Sequence, residues 1–135
     1  CYCFNVEDTV EITIDGGNEA TPLAAVEAEA DGVTASLILC AHTHLPRLVH
    51  LDDSRTVVNP GSVGLPGYQG KMPVPHVVQT GTPNATYAIL EQTAHGWNVT
   101  FRSIAYDSGP MAAMATRNGL PDWGRAIATG WIATA

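Results

Sequence analysis

An α+β fold is what the sequence predicts, and three features of the 135-residue chain point to it. A helical stretch at about 22–30 feeds an apolar strand at 36–40. Two strand pairs, at 47–59 and 85–106, have turn residues between their strands, and two short helices between 110 and 130 follow them. With 45% hydrophobic and 14% charged residues, the chain reads as one globular domain, long enough to bury a core without disulfides or a structural metal. The lean surface charge leaves room for part of that surface to be covered by another subunit or segment.

Each element has its own local signal. Val10, Ile12 and Ile14 alternate with Glu11 and Thr13, the period of a half-exposed strand, and Asp15-Gly16-Gly17-Asn18 ends it. Thr21 supplies an N-cap and Pro22 a first helical residue for the run LAAVEAEA, which stops at Asp31-Gly32. The strand at 36–40 is a short apolar run. Residues 47–51 and 56–59 form a hairpin about the turn Asp52-Asp53-Ser54-Arg55. From Pro60 to Pro83 glycine and proline dominate, with one short strand at 76–79, and a loop of that length in a compact domain usually serves or covers a site. ATYAILEQ and WNVTFRSIAY then pair about Ala94-His95-Gly96. In the tail, Pro110 opens one helix that Gly119 stops, and residues 122–129 form another that Gly130 stops, with Met111, Met114, Trp123 and Ile127 placed against the sheet.

Charge narrows the partners. The net charge is −7, and the eight acids before Arg47 are accompanied by no lysine or arginine. Such a surface disfavours general nucleic-acid binding and anionic membranes, both of which call for basic patches. No apolar run approaches the roughly 20 residues that span a bilayer, and no signal-peptide pattern is present, so a cytoplasmic protein is expected. Three cysteines are an odd count and argue against a disulfide framework. Cys1-x-Cys3 is not a CxxC pair, and Cys40 falls inside a strand, where it acts as a small apolar residue.

Residues 37–66 carry the chemistry. Two apolar runs, Leu37-Ile38-Leu39-Cys40 and Thr56-Val57-Val58, each deliver the chain into a polar loop, Ala41-His42-Thr43-His44 in the first case and Asn59-Pro60-Gly61-Ser62 in the second. Sites in layered α/β proteins lie in loops beyond strand ends. With an extended backbone, His42 and His44 point to one side and reach one metal or two adjacent ones. Cys40 shares that side, which leaves a mononuclear zinc site of Cys40, His42 and His44 as an alternative. His50 reads as a sheet-surface residue and His95 as an exposed turn residue.

LILCAHTHLP, a hairpin, and then VVNPGSVGLP together resemble the C-terminal part of the calcineurin-like metallophosphoesterases, in their small bacterial phosphodiesterase-like branch. Family members usually carry G-H-T-H, where this chain has Ala41. The resemblance continues through PVPHVV, the YAIL…W hairpin and NGLPDWGRAIATG, covering residues 21–130 and leaving 1–20 poorly matched. It implies a two-layer β sandwich flanked by helices with two divalent metal ions (Mn, Zn, Fe, Ni or Mg) at the strand ends, His42 on one and His44 on the other. It further implies Asn59 and Ser62 in a supporting turn, and phosphate-ester or nucleotide substrates. Tyr68 and His76 are candidates for touching the substrate, and Arg47 and Lys71 for meeting its phosphate, with ordinary surface roles as the alternative for these two. The family's D-x-H, G-D and G-N-H motifs and its further histidine before the H-T-H loop have no counterpart here. The expectation is therefore an incomplete single domain, 1–135, whose missing ligands come from a homodimer partner or a complementing half-domain. Three functions stay open: a metal-dependent phosphoesterase, weak or inactive as this chain alone; a non-catalytic association module on the same scaffold; and the small zinc protein.

Overall fold

The computed structural model describes residues 22–71 and 75–132. The strand expected at 10–14, the Cys1 and Cys3 pair, the acids up to Glu19 and the Thr21 cap lie outside the described residues.

Ten elements follow in order: α1 (Leu23–Glu29), β1 (Leu37–Leu39), β2 (Arg47–His50), β3 (Thr56–Asn59), β4 (Gly67–Gly70), β5 (His76–Gln79), β6 (Ala85–Thr93), β7 (Gly96–Ile104), α2 (Gly109–Arg117) and α3 (Pro121–Thr129). The helix α1 starts one residue later than expected. Pro22, with φ −59° and ψ 150°, is the cap and not the first helical residue. Its ring presets φ, but its ψ is still that of extended chain.

The core sits between α1 and a three-stranded sheet of order β1-β3-β2, in which β1 runs parallel and β2 antiparallel to β3. The central strand is buried along its whole length, as expected for TVVN flanked on both edges. Val26 and Ala30 of α1 pack with Ile38, Cys40, Leu51 and Val57, and Val33 and Val49 close the sides. Removing a side chain such as Ile38 from water contributes about 1.5–3 kcal/mol. Arg55 fastens the β2–β3 turn to the helix. Its guanidinium donates to the carbonyls of Ala30 (2.6 Å) and Val33 (2.7 Å), at the C-terminal end of α1, where a cation is favoured. The same side chain donates to Asp53 at 2.7 Å and holds that carboxyl below its usual range.

The long glycine- and proline-rich stretch contains one strand more than its sequence shows. Besides the expected β5, residues 67–70 form β4, paired antiparallel from Gly67↔Gln79 to Gly70↔His76. GYQG has neither alternation nor β-branched residues, so its strand character comes from the partner and not from propensity. Beyond it, β6 and β7 pair over nine residues each, from Ala85↔Ile104 to Thr93↔Gly96. Gly96, at φ 118°, permits the tight turn through Ala94 and His95.

The helical tail corrects the expected packing. Ile127 is buried, but Met111, Met114 and Trp123 are 51%, 40% and 49% exposed. The buried residues of these helices include the small Ala112, Gly124 and Ala126. Gly124 explains why: a Cβ there would collide with the Thr116 hydroxyl and lie 2.9 Å from the Ala112 carbonyl, so α2 and α3 meet backbone to backbone and turn their larger side chains outward. Gly130, in the left-handed region at φ 76°, ends α3. Its carbonyl accepts from the Gly81 amide at 3.1 Å, and the Ile132 amide donates to Gln79 at 2.9 Å, which ties the tail to β5. No helix among the described residues is long and apolar enough to cross a membrane.

Candidate functional site

Because β1 and β3 are parallel neighbours in the register Leu39↔Val58, their C-terminal ends lie side by side. The loop with His42 and His44 and the turn Asn59-Pro60-Gly61-Ser62 are thereby adjacent. The bond from the Cys40 amide to the Val58 carbonyl, 2.9 Å, continues the ladder to the edge of the loop.

The backbone at the histidines is not extended, which overturns the same-side argument drawn from H-x-H spacing. His42 has φ 76° and His44 φ 58°, so both sit in the left-handed region. That region costs a residue with a Cβ roughly 1–2 kcal/mol, and strain of this kind persists where surrounding contacts hold it. Every residue of the loop is held. Asn59, 4% exposed, donates from Nδ2 to the Ala41 carbonyl (3.2 Å) and to the Thr43 hydroxyl (2.9 Å), while its Oδ1 accepts from the Gly61 amide (2.9 Å). The Tyr68 hydroxyl donates to the His42 carbonyl at 2.9 Å. His44 Nδ1 lies 2.6 Å from the Leu65 carbonyl.

The second loop is pinned to β6. The Ser62 amide donates to the Thr86 hydroxyl (2.8 Å), and the Thr86 amide donates to the Ser62 carbonyl (2.8 Å). The Ser62 hydroxyl accepts from the Leu65 amide at 3.1 Å, which fixes the carbonyl that His44 uses. Gly61 has φ 90°, and a Cβ on it would strike the Thr86 hydroxyl and lie 2.9 Å from Pro46.

Around the loop, the Tyr68 ring lies 4.8 Å from the His44 ring and 5.8 Å from the His42 ring, both tilted. His76 meets Tyr68 edge-on at 5.6 Å. Tyr68 and His76 share a face of the β4–β5 pair, since Gly70 is paired with His76 and Tyr68 is two residues before Gly70. A side chain at Gly70 would overlap the His76 ring. Arg47, half-buried, opens β2 opposite Asn59. Lys71, His50 and His95 are exposed.

A carbonyl only accepts, so the short contact with Leu65 places the proton of a neutral His44 on Nδ1 and leaves Nε2 unprotonated, with a lone pair that can accept a hydrogen bond or coordinate a metal. Burial pushes the His44 imidazole below its ordinary value of 6.5; the bond to Leu65 opposes this and the charge of His42 adds to it. The unfolded chain therefore takes up this proton at a higher pH than the folded one. The stabilising contribution is full above about 6.5 and is lost as pH falls through the folded value. In an NMR titration the His44 ring should move below its ordinary value of 6.5. A midpoint at or above that value would remove the burial argument.

The two imidazoles fit a divalent metal as nitrogen donors, but they do not complete a centre. Among the described residues no group of three His, Cys, Asp or Glu is placed to hold a metal ion. Cys40 does not join them, because it is packed in the core beside Val26 and Ile38. The structure thus brings together His42, His44, Tyr68 and His76, with Asn59 and Ser62 beneath the loops and Arg47 on the neighbouring strand. The supporting roles of Thr43, Leu65, Gly70 and Thr86 have no signal in the sequence, since each depends on a partner distant along the chain.

No family model and no curated protein matches the sequence. Among solved structures, the chain is similar to a metallophosphoesterase from Sphaerobacter thermophilus, with a TM-score of 0.60 and 21% identity over 92% of this chain and 56% of that one. It is also similar to a hypothetical protein from Pyrococcus horikoshii OT3, with a TM-score of 0.59 and 18% identity over 93% of this chain and 47% of the other. The chain spans about half the length of these structures. The expected α+β class, as a fragment of a phosphoesterase fold, is borne out: the chain has the fold of part of a metallophosphoesterase.

Proposed function

We propose that this chain provides the histidine-bearing part of a metal-dependent phosphoesterase that hydrolyses phosphate monoesters or diesters, nucleotides included. The observation that carries the reading is that two histidines, both in the left-handed region, stand on a loop at a sheet edge, held by Asn59, Leu65 and Tyr68. A left-handed non-glycine residue is uncommon, and two within three residues, both carrying donor side chains, fit a site better than a surface loop. The fold shared with a metallophosphoesterase gives the reading its reaction class.

In this reading the carboxylates that hard divalent ions require come from outside the described residues, either from a complementing half-domain or from a second copy. Arg47, Tyr68 and His76 line the substrate side. The chain alone is expected to bind metal weakly and to turn over little.

The test is a manganese titration of the purified chain followed through histidine NMR signals, alongside elemental analysis and hydrolysis of an aryl phosphodiester. Selective broadening of His42 and His44 is expected, with His50 and His95 unaffected, and His44→Ala should abolish the response along with any turnover. A folded chain whose His42 and His44 signals ignore manganese would sink the reading. It would leave the association module, which draws support from Tyr87, Ile89 and Ile104, all exposed on one face of the β6–β7 hairpin.

A further inference from the structure

We infer that Tyr68 is the positioning residue of the site: it holds the His42 backbone through its hydroxyl and sets the placement of both imidazoles through its ring, with His76 as its prop. The inference rests on the reading of His42 and His44 as ligands. Its geometric part stands on contacts that need no metal.

Several observations converge on this one side chain. A loop with two left-handed non-glycine residues within three positions, His42 and His44, relaxes unless external bonds hold it. Asn59 holds Ala41 and Thr43, and the Leu65 carbonyl holds the His44 ring. The bond from the Tyr68 hydroxyl, 2.9 Å, fixes the His42 carbonyl, and it crosses 26 residues of chain. Its ring also contacts both imidazoles, at 4.8 Å and 5.8 Å, so one side chain bears on the two ligands together.

Tyr68 is itself fixed. It is paired with Val78 in a short antiparallel ladder, and Val78 is buried. On the same face the His76 ring stands edge-on to the phenol, 5.6 Å away, in the space kept open by Gly70. An edge-to-face contact of this kind fixes ring orientation as well as distance. The β4–β5 pair is thus a platform whose exposed product is the orientation of Tyr68. This assigns a purpose to a strand that the sequence does not announce. Outer contacts that orient metal-ligating histidines typically alter metal affinity 10–100-fold when removed.

The experiment uses the full chain and compares the wild type with Tyr68→Phe, Tyr68→Leu and His76→Ala, with Tyr87→Phe on the outer face of β6 as the control. Two quantities are read: the His42 and His44 ring-proton shifts without metal, and the affinity of zinc alone from the same signals. Tyr68→Phe removes only the hydroxyl and should weaken zinc about 10-fold while keeping the ring-induced shifts. Tyr68→Leu should collapse those shifts and weaken zinc further, and His76→Ala should fall between the wild type and Tyr68→Leu. Tyr87→Phe should leave both quantities unchanged.

If Tyr68→Leu leaves the two rings and the zinc affinity as in the wild type, the inference is overturned. Unequal effects on the free rings together with no zinc response in the wild type would overturn the metal reading and uphold the positioning role. Should the leucine variant unfold, the phenylalanine variant decides: unchanged zinc affinity and an unchanged Thr43 amide signal, the N–H of the peptide group whose His42 carbonyl Tyr68 bonds, would overturn the inference.

Discussion

Gly61→Ala should destabilise the protein by roughly 2–5 kcal/mol, combining the cost of a left-handed alanine with that of overpacking. Gly61 is held at φ 90°, and its missing side chain leaves the space taken by the Thr86 hydroxyl and Pro46. An alanine must therefore distort the turn or push β6 away from it. Thr86 would then lose its paired contacts with Ser62, and the carbonyl of Leu65 that holds His44 would shift with them. Gly64 provides the internal comparison, because a Cβ there meets nothing within 4 Å. Urea unfolding of the two alanine variants should show a large loss for Gly61 and little change for Gly64. Equal midpoints would mean that the turn is not tightly packed.

Asn59→Ala should have the second large effect, about 2–4 kcal/mol, with the loss of both imidazole positions. Asn59 is almost wholly buried and bridges the two loops through three hydrogen bonds. Truncating it removes the partner of the part-buried Ala41 carbonyl and Gly61 amide, and a polar group left unpaired as it becomes buried costs about 1–3 kcal/mol. Thr43→Val removes one of the three bonds and should cost about 0.5–1.5 kcal/mol. In the NMR spectrum, Asn59→Ala should broaden His42 and His44 together, since the loop loses its inner anchor at both Ala41 and Thr43. Sharp, unshifted histidine signals in that variant would show that Tyr68 and Leu65 suffice to hold the loop.

Much of the fold was legible because its signals are local. Alternation marked β6 and β7, glycine and proline marked the ends of α2 and α3, and the turn Asp52-Asp53-Ser54-Arg55 marked the β2–β3 hairpin. The pattern was also enough to place H-x-H and N-P-G-S at strand ends, where the structure has them. Other readings did not survive contact with the tertiary structure. Met111, Met114 and Trp123 form a helical stripe and yet are half exposed, because Gly124 lets α2 and α3 approach through small residues. The strand β4 was missed since two of its four residues are glycine, and its pairing partner begins six residues beyond its last residue.

The histidine loop shows the division most clearly. The sequence by itself determined which imidazoles the loop carries, His42 and His44, and that they follow a buried strand beside a turn closed by Gly61. It could not determine their conformation. The extended backbone that would align two residues in H-x-H is the default of a chain without other contacts, and here it gives way to two left-handed residues. What decides between them are bonds that reach 16 to 26 residues along the chain: Asn59 to Thr43, Leu65 to His44 and Tyr68 to His42. Periodicity and turn chemistry describe a residue's neighbours within a few positions. The conformation of a strained loop is set by side chains that only the folded sheet brings to it.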